Sequence, residues 1–357
     1  MTTPSQVAFL LPGQGSQHHR MAAGLYPDEP VFTAAIEEVF AAMGKHGDAL
    51  RADWLADTPE VPLDDVTRSQ PLLFAVDYAL ARMVLSWGVH PVALLGHSVG
   101  EMAAAVLSNV FSLADAAGLM LDRVARLATA PPGGMLAVAA TPVQIEDLLS
   151  DGVVVGAVNA PMHTVLAGPD GPLAVVAERL VAKGFAYRRI PSHSAFHSPA
   201  VRPSLIGAEA AMAAVPRQSP TITVYSGYTA EPLDAEQARD PRFWASQPAD
   251  PVLFWPALDN LLSGDGVILL ETGPGQGLAN IARRHRAVRS GLSSVMALLP
   301  AKPGPREADL QSVRLAHDRL IAALTGANDD TAIEKGRRRG HGQPQPGGGS
   351  SRAHQHP

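Results

Sequence analysis

The stretch Leu94-Leu95-Gly96-His97-Ser98-Val99-Gly100-Glu101 decides the fold. It ends an apolar run, VALLG at 92–96, and opens a helical one, EMAAAVLSNV at 101–110. A bare G-x-S-x-G is common by chance. Between a strand and a helix it reads as a nucleophile elbow. The bend is too sharp for a Cβ at Gly96 or Gly100. It pushes Ser98 Oγ out of the sheet edge, at the positive end of the following helix. The Val99 amide then points to where negative charge would develop on a reacting carbonyl.

Outward from the elbow, strands alternate with helices. VAFLL (7–11) is a short apolar strand ending at Pro12-Gly13. FTAAIEEVFAAM (32–43), PLLFAVDYALARMVLSW (71–87) and LADAAGLMLDRVARLATA (113–130) have the apolar spacing of helices. ITVYSG (222–227) and GVILLETGPGQG (266–277) resume the strands further on. This order predicts a parallel sheet covered by helices. From about 133 to 193 the rhythm changes: MLAVAA, PVQIEDLLS, VVVGAVNA, HTVLAG, PLAVVAERLVAKG and AYRRIPS read strand, helix, strand, strand, helix, strand. That βαββαβ order is ferredoxin-like. The expected fold class is therefore α/β, a hydrolase-like parallel-sheet body with an inserted ferredoxin-like small subdomain. The body takes residues 1–131 and 198–326, the insert takes 132–197, and the cleft between them is the expected ligand site. Residues 327–357, rich in Gly, Pro, Gln and Arg, are expected to form a disordered tail.

Composition removes several classes of function. Lys plus Arg is 28 and Asp plus Glu is 34, a net charge of −6, so no nucleic-acid partner is expected. No run of 18 apolar residues occurs, so no membrane span is expected. No signal peptide is legible, and a cytoplasmic location is the expectation. Cysteine is absent, which excludes disulfides, thiolate metal sites and a cysteine nucleophile.

An activated serine needs a base, and 13 histidines compete for the role. His193 and His197 stand four apart in Ser192-His193-Ser194-Ala195-Phe196-His197-Ser198. Pro191 and Pro199 bracket them and no carboxylate lies between, so a helical metal pair is disfavoured and no metal site is expected. A loop histidine at the rim of the insert is in a position to serve Ser98 as general base. Gly273-Pro274-Gly275-Gln276-Gly277 lacks the Lys-Ser/Thr of a phosphate-binding loop and reads as a tight turn.

Taken together, these residues resemble the malonyl-CoA:acyl-carrier-protein transacylases and the acyltransferase domains of polyketide and fatty acid synthases, over about residues 5–320. Leu11-Pro12-Gly13-Gln14-Gly15-Ser16-Gln17 is similar to the family's N-terminal PGQGSQ signature, and Gln70-Pro71 to its helix-opening QP. Gly96-His97-Ser98-Val99-Gly100-Glu101 matches GHSxGE, Asn159-Ala160-Pro161 the NxP turn and Ala195-Phe196-His197-Ser198 the AFHS segment. Glu271-Thr272-Gly273-Pro274-Gly275 resembles the late E-x-GPG turn. Downstream spacing to Pro203 and Ser226 selects His197 over His193.

The resemblance implies Ser98 and His197 as catalytic residues and the backbone amides of Gln14 and Val99 as the oxyanion hole. It implies Arg123, Gln70, Phe196 and Ser194 in substrate binding, and Gln247 as the position that orients the histidine. It implies no bound cofactor. The donor would be an acyl-CoA, preferably malonyl-CoA, and the acceptor the phosphopantetheine thiol of an acyl carrier protein. A discrete, trans-acting member is the expectation. The alternatives are transfer of a larger acyl group between carrier proteins, an editing hydrolase, and a non-catalytic carrier-binding module. Phe196, where methylmalonyl-selective relatives have Ser, favours malonyl by crowding an α-methyl. Ser194, where the malonyl signature has His, departs from that pattern.

Overall fold

The computed structural model describes residues 6–26 and 28–326; the expected tail, 327–357, lies outside the described residues. The chain begins with β1 (Gln6–Leu11), then α1 (Pro30–Met43), α2 (Lys45–Leu55) and α3 (Val66–Ser86). β2 (Ala93–Gly96), α4 (Gly100–Leu107) and α5 (Leu113–Leu127) follow. Next come β3 (Gly133–Val138), α6 (Pro142–Ile145), β4 (Val154–Ala160), β5 (His163–Pro169), α7 (Asp170–Ala182) and β6 (Tyr187–Ile190). β7 (Thr223–Tyr225), β8 (Val267–Glu271) and β9 (Ser294–Ala297) complete the strands.

β1 and β2 meet in register, Leu11 opposite Gly96, in a five-stranded parallel sheet of order β7-β2-β1-β8-β9. β1 is apolar throughout because both of its faces are covered, as parallel sheets require. Strand alternation sorts its side chains. Val7, Phe9 and Leu11 join one core with α1, α3, α4 and α5. Ala8 and Leu10 join a second core with Phe254, Leu258 and Met135. The elbow is thus anchored between two cores.

The second sheet is antiparallel, of order β4-β5-β3-β6. This is the sheet order of a βαββαβ ferredoxin-like unit. Its outer face has its own core of Leu136, Val138, Ile145, Leu166, Leu173, Val176 and Leu180. A short main-chain seam ties it to the body. The Val158 amide donates to the Val252 carbonyl (2.8 Å), and the Val252 amide to the Gly156 carbonyl (2.9 Å).

The structure differs from local expectation in three places. α3 begins at Val66 rather than at Pro71, because Asp65 caps it by accepting from the Thr67 amide (2.8 Å). Pro71 lies inside that helix. The helix expected over PVQIEDLLS is one turn, Pro142–Ile145, followed by a 3₁₀ turn at Glu146–Leu148. Two helices carry too little apolar signal to be read from sequence. α2 buries only Gly47, Leu50 and Trp54, and the helix Arg306–Thr325 only Val313, Ala316 and Leu320. Among the described residues, no helix is long and apolar enough to cross a membrane, and no group of three metal-ligating side chains occurs.

Candidate active site

The elbow forms because its glycines are unavoidable. A Cβ on Gly96 would lie 2.3 Å from the Glu101 amide, and one on Gly100 would lie 2.1 Å from the Leu11 carbonyl oxygen. Ser98 itself takes φ +53°, in the left-handed region. Such a conformation costs a non-glycine residue on the order of 1–3 kcal/mol and persists only where its surroundings hold it. His197 is held the same way, at φ +61°. Its amide donates to the Pro248 carbonyl (2.7 Å).

These two residues meet. Ser98 Oγ is 2.8 Å from His197 Nε2, and both residues are buried. His193 is exposed, and its carbonyl accepts from the Gly133 amide (3.1 Å). The far imidazole nitrogen, Nδ1, is 3.0 Å from the Asp250 carbonyl oxygen. A proton on Nδ1 donates there, which leaves Nε2 free to accept from the serine. The resemblance expects a backbone carbonyl at the Gln247 position to orient the ring, and the Gln247 carbonyl does lie beside the imidazole, next to the Asp250 carbonyl that Nδ1 meets at 3.0 Å. The Gln247 side chain turns instead to Glu101, with Nε2 3.4 Å from Oε1. The carbonyl that accepts is three residues on, with the Gln247 carbonyl beside it in the same turn.

Burial, with His97 and Arg123 nearby, pushes His197 down to about 3. The ring is therefore a neutral base at ordinary pH. His97 is fixed by Asn159, with Nε2 2.8 Å from Oδ1. Arg123 is buried and donates from Nε to Gln70 Oε1 (3.1 Å). Gln70 Nε2 in turn donates to Gln14 Oε1 (3.2 Å). One chain of amides thus links the guanidinium to the loop after β1. No carboxylate among the described residues forms an ion pair with Arg123. Its charge is left for something else.

Gln14, Gln70, His97, Ser98, Arg123, Asn159, Phe196 and His197 line one cavity of about 80 Å³. Met135, Ala157, Val165 and Ile190 form much of its apolar wall, so both sheets contribute. Ser194 does not line it. Ser194 pairs with Pro132 in an isolated antiparallel bridge beside β3. Among the described residues, neither the Gln14 nor the Val99 backbone amide donates to a protein acceptor.

Three residues escaped sequence reasoning. Asp250 acts through its main chain, which no side-chain pattern reveals. The Tyr228 hydroxyl is buried beside Ser98 and Arg123 but makes no hydrogen bond of proper geometry. Its ring centre is 6.2 Å from the imidazole. Glu101 Oε1 is 2.8 Å from Ser226 Oγ, and its Oε2 accepts from the Gly227 amide (2.8 Å). The last residue of the elbow therefore ties together the loops carrying Tyr228 and Asp250. The G-P-G-Q-G turn holds no free cradle: Glu271 accepts from the Leu278 (3.1 Å) and Ala279 (2.7 Å) amides.

Burial raises the Glu101 carboxyl to about 8. The native state therefore holds this proton more tightly than the unfolded chain, whose carboxyl loses it near 4.5. Stability linked to Glu101 is complete below 4.5 and is lost as pH rises toward about 8. His197 acts in the opposite sense, because its proton binds the unfolded chain first. Its contribution is complete above 6.5 and is lost as pH falls toward about 3. Glu101→Gln is expected to flatten the fall in melting temperature between 4.5 and about 8, a span worth on the order of a few kcal/mol. A pH series of thermal denaturation with an unchanged slope would contradict this.

Comparison with known proteins gives the family and the fold. The acyl transferase domain family matches residues 8–300. A phenolphthiocerol/phthiocerol polyketide synthase of Mycobacterium tuberculosis is 37% identical over 284 residues, covering 79% of this chain and 19% of that protein. The chain therefore spans about a fifth of that relative's length. The acyltransferase domain from the second module of the salinomycin polyketide synthase superposes with a TM-score of 0.80 at 33% identity, covering 93% of this chain and 78% of that one. The acyl transferase domain of SpnD, in complex with 2-(pent-4-yn-1-yl)malonyl, gives 0.83 at 29% identity, covering 92% and 78%. With its elbow serine and loop histidine in contact beneath a buried arginine, the chain belongs to the acyl transferase domain family.

Proposed function

We propose that the protein transfers a malonyl group from coenzyme A to the phosphopantetheine thiol of an acyl carrier protein, through an ester on Ser98. The observation that carries this reading is Arg123: a buried guanidinium without an ion pair, in the same cavity as the Ser98–His197 contact. A free carboxylate on the acyl group satisfies it bidentately. The malonyl ligand of the SpnD structure belongs to the same substrate class.

In the first half-reaction His197 Nε2 takes the Ser98 proton as Oγ bonds to the thioester carbon. The oxyanion accepts from the unengaged amides of Val99 and Gln14; each such donor contributes roughly 3–4 kcal/mol to the transition state. The carbon–sulfur bond breaks, and the CoA sulfur leaves with the proton from His197. In the second, His197 takes the proton of the carrier's thiol as the sulfur attacks the ester carbonyl; the bond from the acyl carbon to Oγ then breaks, and His197 returns the proton to Ser98, leaving the malonyl thioester on the carrier. The ordering of Nδ1 by a neutral carbonyl suffices, because Nε2 needs only the right tautomer and direction. Both reactants are soluble metabolites or proteins, and we place the reaction in the cytoplasm.

The cavity measures about 80 Å³. Phe196 is buried in its wall. Phe196→Ser is expected to raise methylmalonyl-CoA use relative to malonyl-CoA by roughly 10- to 200-fold, the range one methylene commands in an apolar pocket. Competition kinetics with the two donors measure it, and an unchanged ratio would remove Phe196 from substrate choice. The reading as a whole is tested by intact mass after mixing with malonyl-CoA. A malonyl adduct on Ser98 that is stable in water and discharged by carrier protein supports it. Rapid release to water identifies a hydrolase, and no adduct with any acyl-CoA overturns the reading.

A further inference from the structure

Acyl transfer by Ser98 and His197 leaves the neighbouring Tyr228 hydroxyl without a task. The loop that carries it is pinned to the elbow. The Tyr228 amide donates to Ser226 Oγ (3.0 Å), and Ser226 Oγ in turn donates to Glu101 Oε1 (2.8 Å). The Gly227 amide donates to Glu101 Oε2 (2.8 Å). So anchored, the Tyr228 ring stands tilted beside the His197 imidazole, 6.2 Å between ring centres. Its hydroxyl oxygen is buried with Ser98 and Arg123 as neighbours, yet it closes no hydrogen bond among the described residues. A hydroxyl held away from water is costly to leave unpaired, and one held so beside a nucleophile calls for a reason.

Chemistry fixes the direction in which this hydroxyl can act. Burial raises its pKa against the opposing pull of the Arg123 charge, so the phenol keeps its proton. A guanidinium has no lone pair and can only donate. Ser98 Oγ spends its own proton on His197 Nε2 (2.8 Å) and keeps lone pairs to accept with. The phenol can therefore receive from Arg123 and give to Ser98, and not the reverse. Neither link is closed in the resting geometry, as is common for hydrogen bonds that tighten only during the reaction. We propose that Tyr228 is a positioning residue for the nucleophile: its hydroxyl donates to Ser98 Oγ as the bond from Oγ to the acyl carbon forms or breaks, when Oγ carries the most negative charge. His197 alone takes and returns the proton that moves; the phenol proton stays on its own oxygen. The inference rests on the acyl-serine reading of the function and adds a second hydrogen bond to the reacting oxygen.

Tyr228→Phe removes the hydroxyl and keeps the ring, and two measurements on the full chain read the result. Labelling of Ser98 by an alkyl fluorophosphonate reports the reactivity of Oγ with no thioester and no carboxylate involved, so it remains informative even if malonyl transfer is not the reaction. Steady-state transfer from malonyl-CoA and from acetyl-CoA reports the acyl step. The labelling rate and kcat for both donors should fall by roughly 10- to 100-fold, the worth of one hydrogen bond to a charged oxygen, with KM for malonyl-CoA kept within about twofold. Site-specific 3-fluorotyrosine at position 228 retains a donor and should label at or above the wild-type rate, which separates the hydrogen bond from ring packing and from any folding defect of Tyr228→Phe. Labelling equal in Tyr228→Phe and wild type overturns the proposal. So does a rise in malonyl-CoA KM with labelling unchanged, which would put the hydroxyl in the service of Arg123 alone, or a loss in the fluorotyrosine protein as large as that in Tyr228→Phe.

Discussion

Ser98→Ala is expected to lower transfer by roughly 10⁴- to 10⁶-fold, the loss typical when the nucleophile of a coupled Ser–His pair is deleted. No malonyl adduct should form at all. The protein should still fold, because the elbow is held by contacts that do not involve the hydroxyl. The β1–β2 ladder runs to Gly96, Gly100 donates to the His97 carbonyl (3.0 Å), and Glu101 bonds across to Gly227 (2.8 Å). If the proposed carrier protein is the acceptor, its binding should survive in this variant, which then separates docking from chemistry. Intact mass and steady-state transfer measure it. Residual activity near wild type, with acyl found elsewhere, would remove Ser98 from the mechanism.

Arg123→Ala is expected to cut kcat/KM for malonyl-CoA by roughly 10²- to 10³-fold, as for a buried charged hydrogen-bond pair losing one partner. Acetyl-CoA, which has no carboxylate, should lose little. The contrast matters more than either number. Removing a buried guanidinium also strands Gln70 Oε1, which accepts from Arg123 Nε (3.1 Å), and so disturbs the link to Gln14. If that disturbance were the whole effect, both donors would suffer equally. Gln70→Leu supplies the control: it breaks the same link while keeping the cation, and it should affect both donors alike.

Much of this is legible in the amino-acid order alone. The elbow is, because a strand, a tight bend and a helix leave a local signature that the glycines enforce at close quarters. The ferredoxin-like unit is, because its strands alternate and its two helices fall between them in a fixed order. His197 is, through its family segment and not through its chemistry, since His193 offers the same imidazole four residues away. What stays hidden is either main chain or remote. The Asp250 carbonyl has no side-chain letter. Tyr228 reaches Ser98 across 130 residues of sequence, and Glu101 reaches Ser226 across 125. The turn at Gln247 is legible as the one that orients the histidine, but which of its carbonyls Nδ1 meets is not. Ser194 stands two residues from Phe196 yet does not line the cavity that Phe196 lines.

The seam at Val252 has a mechanical consequence. That residue is stitched on both sides to β4, two positions after the carbonyl that steers the imidazole. Any gaping of the two lobes would drag that carbonyl along and tilt the ring off the hydroxyl.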